Sequence, residues 1–548
     1  MNRPTALVLL GALGLAVFLA GLELMITAVA LPTLLLDLAR GPDALTQLRR
    51  ASWIINGYFI VTVVTMPLAG RLADAWGSRR LVLAGIVVFV IGSALSGRAQ
   101  SIDELVASRL LQALGGGILI PVATSAASHL FAGAARPRAL GVIGGLTFLG
   151  MAAGPFLGAT ILLTLHPATA LASAGIEDGP LVDALSPAWR WVFYVNVPAG
   201  LVALVLVWAS TTGWDTPRRP ARVDLAGAVL FTVVLGAALA GVTLLGARET
   251  PIPGIGSTAL SLGLLALAAL AAVALVLAGL RRDDPFLDPR VFRTPALASA
   301  ALVSLLTGYG FATAIAGGAV FVDRVLYGGP DRQAIALGGL AGATALGAIA
   351  SGLLVKLVSL RAVALVGIVA SVAALVVVSA SGTGTAILPL AAALALFGLG
   401  FGLTVTPRST AAVEAVGERA FGVASAAVTV ARMIGMAIGF AVLTAYGSTT
   451  IERLYDQVYA TPDSYKAFVP ADLRDRELRD GLVVDALERW AASEAARVIG
   501  PIFVGAAAVT ALAAIPALAL GGAERRAEAR APTSGRGRDD EPEVTISL

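Results

Sequence analysis

Long apolar runs, separated by short polar stretches, recur from the beginning of the chain almost to its end. They fall near 6–36, 52–73, 80–98, 103–130, 138–165, 190–211, 223–246, 257–280, 295–325, 333–358, 361–381, 386–414, 420–460 and 480–521. A helix needs about 20 mostly apolar residues to cross the hydrocarbon core of a bilayer. The pattern therefore predicts fourteen spans, and an even number returns both termini to one side. The first run is too long for the apolar part of a cleaved signal and carries Glu23, so it predicts a retained first helix.

The polar gaps indicate which side that is. Arg71, Arg79 and Arg80 follow span 2, and Arg136 and Arg138 follow span 4. Arg218, Arg219 and Arg222 follow span 6, and Arg281, Arg282, Arg290 and Arg293 follow span 8. Short loops rich in arginine stay in the cytoplasm. That face, and with it both termini, is expected to be cytoplasmic. Arg40, Arg49 and Arg50 go against the trend.

The last outer gap is unusual. Ile451, Leu454, Tyr455, Val458 and Tyr459 keep a helical stripe beyond span 13, and Leu478, Leu482, Val483, Leu487, Trp490 and Ala491 do so before span 14. Pro462 and Pro470 mark the turn between them. The stripes predict a helical extension over about 446–497, either projecting from the membrane or folded as a small cap. Residues 523–548 are charged and nearly free of apolar side chains, which predicts a disordered tail.

Composition sharpens this picture. Hydrophobic residues make up 57% of the chain and charged residues only 14%, against about 25% charged in a soluble domain. The reading is an all-α integral membrane protein. A net charge of +4 is accounted for by the basic loops and does not call for nucleic acid. There is no cysteine, and His129 and His166 are the only histidines, so neither thiolate chemistry nor a histidine metal site is expected. Gly398-x-Gly400-x-Gly402 lies within a span and follows no strand, so it is not a nucleotide loop. No Ser–His–Asp set is evident, and no enzymatic activity is expected.

Charges inside spans are the candidate chemistry, because each is expensive in hydrocarbon. Glu23 lies in Leu22-Glu23-Leu24-Met25-Ile26-Thr27, Arg109 in Ser108-Arg109-Leu110-Leu111-Gln112, and Arg432 in Thr429-Val430-Ala431-Arg432-Met433. For Arg109 the alternative to a buried pair is an arginine snorkelling at the cytoplasmic end of its span. Gly150, Gly154 and Gly158 recur every four residues with Pro155 among them, a pattern for close helix packing with a bend. Gly70-x-Leu72 followed by Arg79 is echoed by Gly352-x-Leu354 followed by Arg361, with Lys356 in place of Asp74. The echo reads either as two parallel halves or as chance likeness between two glycine-rich hairpins.

Several of these segments resemble one family. Gly70-x-Leu72-Ala73-Asp74-x-x-Gly77-x-Arg79-Arg80 resembles the loop between helices 2 and 3 of the major facilitator superfamily. The surroundings of Glu23 resemble the helix-1 signature of its drug:proton antiporter branch, where most members have Asp. The Arg109 and Gly150–Gly158 segments resemble that branch's helix-4 and helix-5 motifs. Trp189–Pro198 resembles the start of span 6 in fourteen-span exporters, with aromatics suited to an interface belt.

The Arg432 stretch and the lengthened last spans resemble the mycobacterial lipid exporters, which move triacylglycerides with a periplasmic lipoprotein. That subgroup carries an acid where Phe148 aligns. Asp74 with Arg79 or Arg80 is therefore the expected cytoplasmic gate, rather than an Arg432–acid lock.

The resemblance implies a major facilitator fold of fourteen transmembrane helices arranged 6+2+6. An N-terminal bundle would occupy 1–212, two linker helices 213–294 and a C-terminal bundle 295–522. It implies an inner-membrane exporter driven by the proton gradient without a cofactor. Glu23 and Arg109 would couple protons, Asp74, Arg79, Arg80 and Arg432 would gate, and Gly150, Gly154, Pro155 and Gly158 would form a packing hinge. Lipids such as triacylglycerides and amphipathic cationic drugs are the two substrate classes, and a transport-inactive sensor is a third reading. Deleting the outer extension should separate the first two.

Overall fold

The computed structural model describes residues 3–38, 44–216 except 174 and 177, 218, 224–244, 255–282, 285–416 except 287, 421–443 and 463–521, with 446, 450, 457, 458 and 461. The expected tail 523–548, Arg40, Arg219, Arg222, Pro462 and most of the outgoing arm of the outer extension (Ile451, Leu454, Tyr455 and Tyr459) lie outside the described residues. Among the described residues, fourteen helical stretches are long and apolar enough to cross a membrane.

The first six carry their principal helices at α1 (Arg3–Leu38), α2 (Ala44–Trp76), α3 (Ser78–Arg98), α4 (Ile102–Leu130), α5 (Ala135–Thr164) and α6 (Asn196–Ser210). Two follow at α7 (Leu225–Leu244) and α8 (Ser257–Arg281). The last six are α9 (Pro295–Ala312), α10 (Pro330–Leu354), α11 (Leu360–Ser379), α12 (Ile387–Glu414), α13 (Phe421–Val442) and α14 (Gly481–Leu512). The ninth span continues through a π-turn at Thr313–Gly317 into Gly318–Arg324, which hydropathy alone did not reveal.

Helix pairing repeats with an offset of eight. The pairs α1 with α5, α2 with α4, α3 with α4 and α3 with α6 recur as α9 with α13, α10 with α12, α11 with α12 and α11 with α14. The two sets meet through α5 against α10 and α2 against α13, contacts that the same offset exchanges. The Gly70 and Gly352 echo is thus part of a structural repeat of parallel halves. Helices α7 and α8 pack chiefly on each other, and α7 also touches α2 and α13.

Close backbone approach at glycines joins the sets. A Cβ on Gly70 would strike the Gly422 carbonyl, and one on Gly422 the Gly70 carbonyl. On the same face, a Cβ on Gly141 would lie 2.7 Å from the Ala348 carbonyl, and one on Gly352 2.8 Å from that of Pro137. The halves are clamped at the end carrying Arg71–Arg80.

The hairpin between α2 and α3 is tighter than its sequence suggests. Gly70–Trp76 is the last part of α2, and the turn narrows to Gly77 at φ 88°, a conformation suited to glycine. The N–H groups that open α3 are satisfied from a distance. Ser78 donates to Thr216 Oγ1 at 2.8 Å and Arg79 to Asp215 Oδ1 at 3.1 Å.

Candidate functional site

Glu23 is fully buried at a crossing of four helices in the first half. Helical spacing on α1 puts Thr27 one turn on, and its hydroxyl donates to Glu23 Oε1 at 3.1 Å. The Arg109 guanidinium on α4 donates to the same oxygen, and Asn196 Nδ2, at the start of α6, donates to Oε2 at 2.5 Å. Arg109 Nη1 also donates to Gln112 Oε1 at 2.6 Å, one turn along α4. Gln112 Nε2 and Asn196 Nδ2 both donate to Ser93 Oγ on α3, at 3.0 and 3.2 Å. Ser93 Oγ in turn donates to the Phe193 carbonyl at 2.8 Å. The guanidinium lies 4.0 Å over the Tyr58 ring of α2. A buried charge is tolerated when it is paired and its remaining valences are met, and this network does both.

Arg109 stands two turns from the Ser101 end of α4, on the face opposite Arg71–Arg80, and is 1% exposed. The snorkelling alternative therefore fails on both position and burial. The residues around Glu23 that sequence reasoning did not single out for this role are Ser93, Gln112 and Asn196. Gln112 and Asn196 sit inside the quoted helix-4 and span-6 segments, a signal that could have found them.

The glycines expected as a hinge seat α5 on α1 beside Glu23. A Cβ on Gly150 would strike the Phe18 carbonyl, and one on Gly154 would come within 2.9 Å of Ile26 N and the Leu22 carbonyl. Pro155 lies within the continuous helix α5, and Gly158 is buried. Trp189 is also buried and donates to Asp37 Oδ2 at 2.9 Å. It ties the span-6 segment to the end of α1 rather than sitting in an interface belt.

The residues expected to form a gate are arranged differently from expectation. Asp74 Oδ1 and Oδ2 accept the backbone N–H groups of Gly422 and Val423, at 3.0 and 3.1 Å. A carboxylate of the first half thus caps the positive N-terminus of α13 in the second. Arg79 Nε instead donates to Thr211 Oγ1 at 3.0 Å, and Arg80 is exposed. Arg432 on α13 is buried, with its guanidinium 4.9 Å over the Phe148 ring of α5. With an aromatic ring at that position, a charge lock to α5 has no acid to use.

A family model described as Major Facilitator Superfamily matches residues 13–440. The chain belongs to the Major Facilitator Superfamily. It is 31% identical to a triacylglyceride transporter of Mycolicibacterium hassiacum, over 87% of this chain and 86% of that one. Over 40% of this chain and 35% of the other it is 31% identical to the multidrug transporter protein MdtP of Bacillus subtilis. The crystal structure of the human organic anion transporter MFSD10 (TETRAN) superposes with a TM-score of 0.59 at 15% identity, covering 94% of this chain and 100% of that chain, a likeness of fold.

This superfamily member is a multi-pass membrane transporter with an unusual appendage between α13 and α14. Helix α14 starts at Gly481, and its first turns pack on the segment before them. The tip is made of short 3-10 turns at Ser464–Ala467 and Ala471–Leu473, not of two helices meeting at a bend. Val458, Tyr465, Val469, Leu473, Val483 and Leu487 form a core of its own, with Trp490 against it, while Leu482 of the expected stripe is exposed. Tyr327, at φ 43°, donates its hydroxyl to the Glu488 carbonyl at 2.8 Å. An apolar-walled cavity of 260 Å³ lies between Tyr327, Val458, Leu487 and Trp490.

Proposed function

We propose that this chain is a proton-coupled exporter of lipophilic substrates, with lipids such as triacylglycerides as cargo, working by alternating access. The observation that carries the proposal is Glu23: a carboxylate buried in the first half, held by Thr27 of its own helix and by Arg109 and Asn196 of two others.

As a carboxylate, Glu23 draws α1, α4 and α6 together. Protonation removes the charge that Arg109 and Asn196 donate to and loosens that junction. Because α1 bears directly on α5 through Gly150 and Gly154, and α5 on α10, a shift at Glu23 reaches the contact between the halves. Bundles 1–212 and 295–522 would then rock, with α7 and α8 as linker helices. Release of the Asp74 cap on α13 would open the cytoplasmic side. Deprotonation towards the cytoplasm would reset the cycle. The chain would sit in the inner membrane with both termini cytoplasmic.

Lipid cargo is supported by the triacylglyceride transporter relative, which matches most of the chain, and by the appendage with its apolar 260 Å³ cavity. A lipid leaving on the outer face needs apolar cover, and a periplasmic lipoprotein would meet it at this appendage. The multidrug reading rests on the shorter match to MdtP.

Proteoliposomes with an imposed pH gradient test the proposal, with a fluorescent triacylglyceride and a cationic dye followed together. Gradient-driven lipid movement that Glu23→Gln abolishes is the expected result. Dye movement without lipid movement would replace the lipid reading with multidrug export. Full proton-driven flux in Glu23→Gln would overturn the coupling scheme.

A further inference from the structure

Deep between the halves lies a polar cavity of 30 Å³, with room for about two waters. It is lined by Arg408 of α12 and Arg432 of α13, together with Ser304 of α9, Thr147 of α5 and Thr429 of α13. No Asp or Glu is among its lining residues. Arg408 is 1% exposed and Arg432 6%. Arg408 Nη1 donates to Thr307 Oγ1 at 2.8 Å and to Thr404 Oγ1 at 3.4 Å, both neutral acceptors. Arg432 Nε and Nη2 have no hydrogen-bond partner, and neither has Ser304 Oγ.

Guanidinium groups stay charged. Two of them are therefore buried in one cavity, Arg432 with donors to spare, and no counter-charge is on its wall. Such an arrangement is unfavourable unless something else supplies the negative charge and the acceptors. Aromatic faces meet part of the need, since Arg432 lies 4.9 Å over Phe148 and Arg408 4.9 Å over Phe401. Phe311 stacks on Phe401 at 4.3 Å and meets Phe148 edge-on at 5.3 Å, so an apolar wall flanks the two cations. Rings provide no oxygen acceptor for the free N–H groups.

We infer that this cavity is an oxyanion subsite, in which Arg408, Arg432 and Ser304 receive the carboxylate or phosphate of an amphiphile whose apolar part lies against the Ile143, Val405 and Val428 side of its wall. A guanidinium's forked N–H groups match two oxygens of a carboxylate or phosphate. The inference rests on the export reading for its place in a transport path and deepens it. It adds anionic amphiphiles to the neutral lipids proposed as cargo, and a cationic amphiphile would meet two like charges here.

Equilibrium binding to the full chain in phosphatidylcholine nanodiscs tests it, with radiolabelled oleate, inorganic phosphate and trioleoylglycerol as probes. Oleate should bind, and both Arg432→Gln and Arg408→Gln should weaken it by about tenfold or more, as expected when a buried charge partner is lost. Arg432→Lys should retain part of the affinity, and trioleoylglycerol should not distinguish the variants. Phosphate binding with the same arginine dependence would support the subsite with a free anion as its source.

Unchanged oleate binding in both glutamine variants would overturn the inference. Melting of the empty protein provides a second readout, because removing an unpartnered buried charge should leave Arg432→Gln at least as stable as wild type. A lower melting temperature would mean that Arg432 is satisfied within the protein, and would also overturn it. Gradient-driven triacylglyceride export without oleate binding would sink this inference alone. Oleate binding without gradient-driven export would sink the export reading alone.

Discussion

Glu23 and Arg109 are each other's reason for being buried, so removing either leaves the other without its counter-charge. Loss of one partner of a buried pair costs about 3–5 kcal/mol. Arg109→Ala should therefore destabilise the fold, and Glu23→Gln, which keeps the shape but leaves the guanidinium unpaired, should do so too while gradient-driven flux disappears. Thermal unfolding of the two variants checks this, and wild-type melting temperatures in both would show that no such pair operates. Glu23 and Arg109 were legible in the sequence because a charge inside an apolar run stands out. Ser93, Gln112 and Asn196 were not, because a neutral polar residue on a span reads as ordinary packing until the helices bring it into one network around a carboxylate.

At the scale of helices, glycine contacts decide which face is closed. Gly70→Val would place its side chain on the Gly422 carbonyl, and that backbone cannot yield as a flexible side chain would. The expected outcome is separation of α2 from α13 at the Arg71–Arg80 face. The chain has no native cysteine, so a single Thr429→Cys reports on the cavity cleanly. Its reaction with a polar thiol reagent should quicken in the Gly70→Val background, and an unchanged rate would mean that the glycine crossing does not hold the gate.

Outside the spans, Asp224 joins the start of α7 to the end of α8. Burial alone would raise its carboxyl, but N–H groups of Gly227 and Phe286 and the Arg282 guanidinium hold it below the usual carboxylate range. A lowered folded value stabilises the protein above the unfolded pKa, about 3.9, and that contribution is lost as pH falls through the folded value. Protection of the α7 and α8 ends from hydrogen exchange should fall with acid in wild type and be low at every pH in Asp224→Ala. The spans were legible because hydropathy measures them. The surroundings of Asp74 were not, since it finds partner N–H groups more than three hundred residues away, and only the folded crossing brings the start of α13 to it.

Over the whole molecule, the eight-helix offset in pairing means that a movement at one contact between the halves has a counterpart at the other. The exchange of α5–α10 with α2–α13 allows rocking without unpacking either bundle. The appendage lies between α13 and α14, where the first half carries the short helices Pro167–Ser173 and Pro180–Leu185 between α5 and α6. It carries its own core, so it can be removed without opening either bundle. That separation makes a decisive prediction possible. Replacing 455–485 with a short Gly/Ser linker should leave the chain folded in the membrane, with Glu23-dependent proton movement intact. Handover of a triacylglyceride to an acceptor on the outer face should fall, because the apolar wall formed by Val458, Leu478 and Val484 is gone. A small dye needs no such cover and should move as before wherever wild type moves it. Undiminished lipid handover in the truncated chain, measured in the same proteoliposomes, would mean that the cargo leaves from the bundles themselves and that the appendage is a cap with no part in delivery.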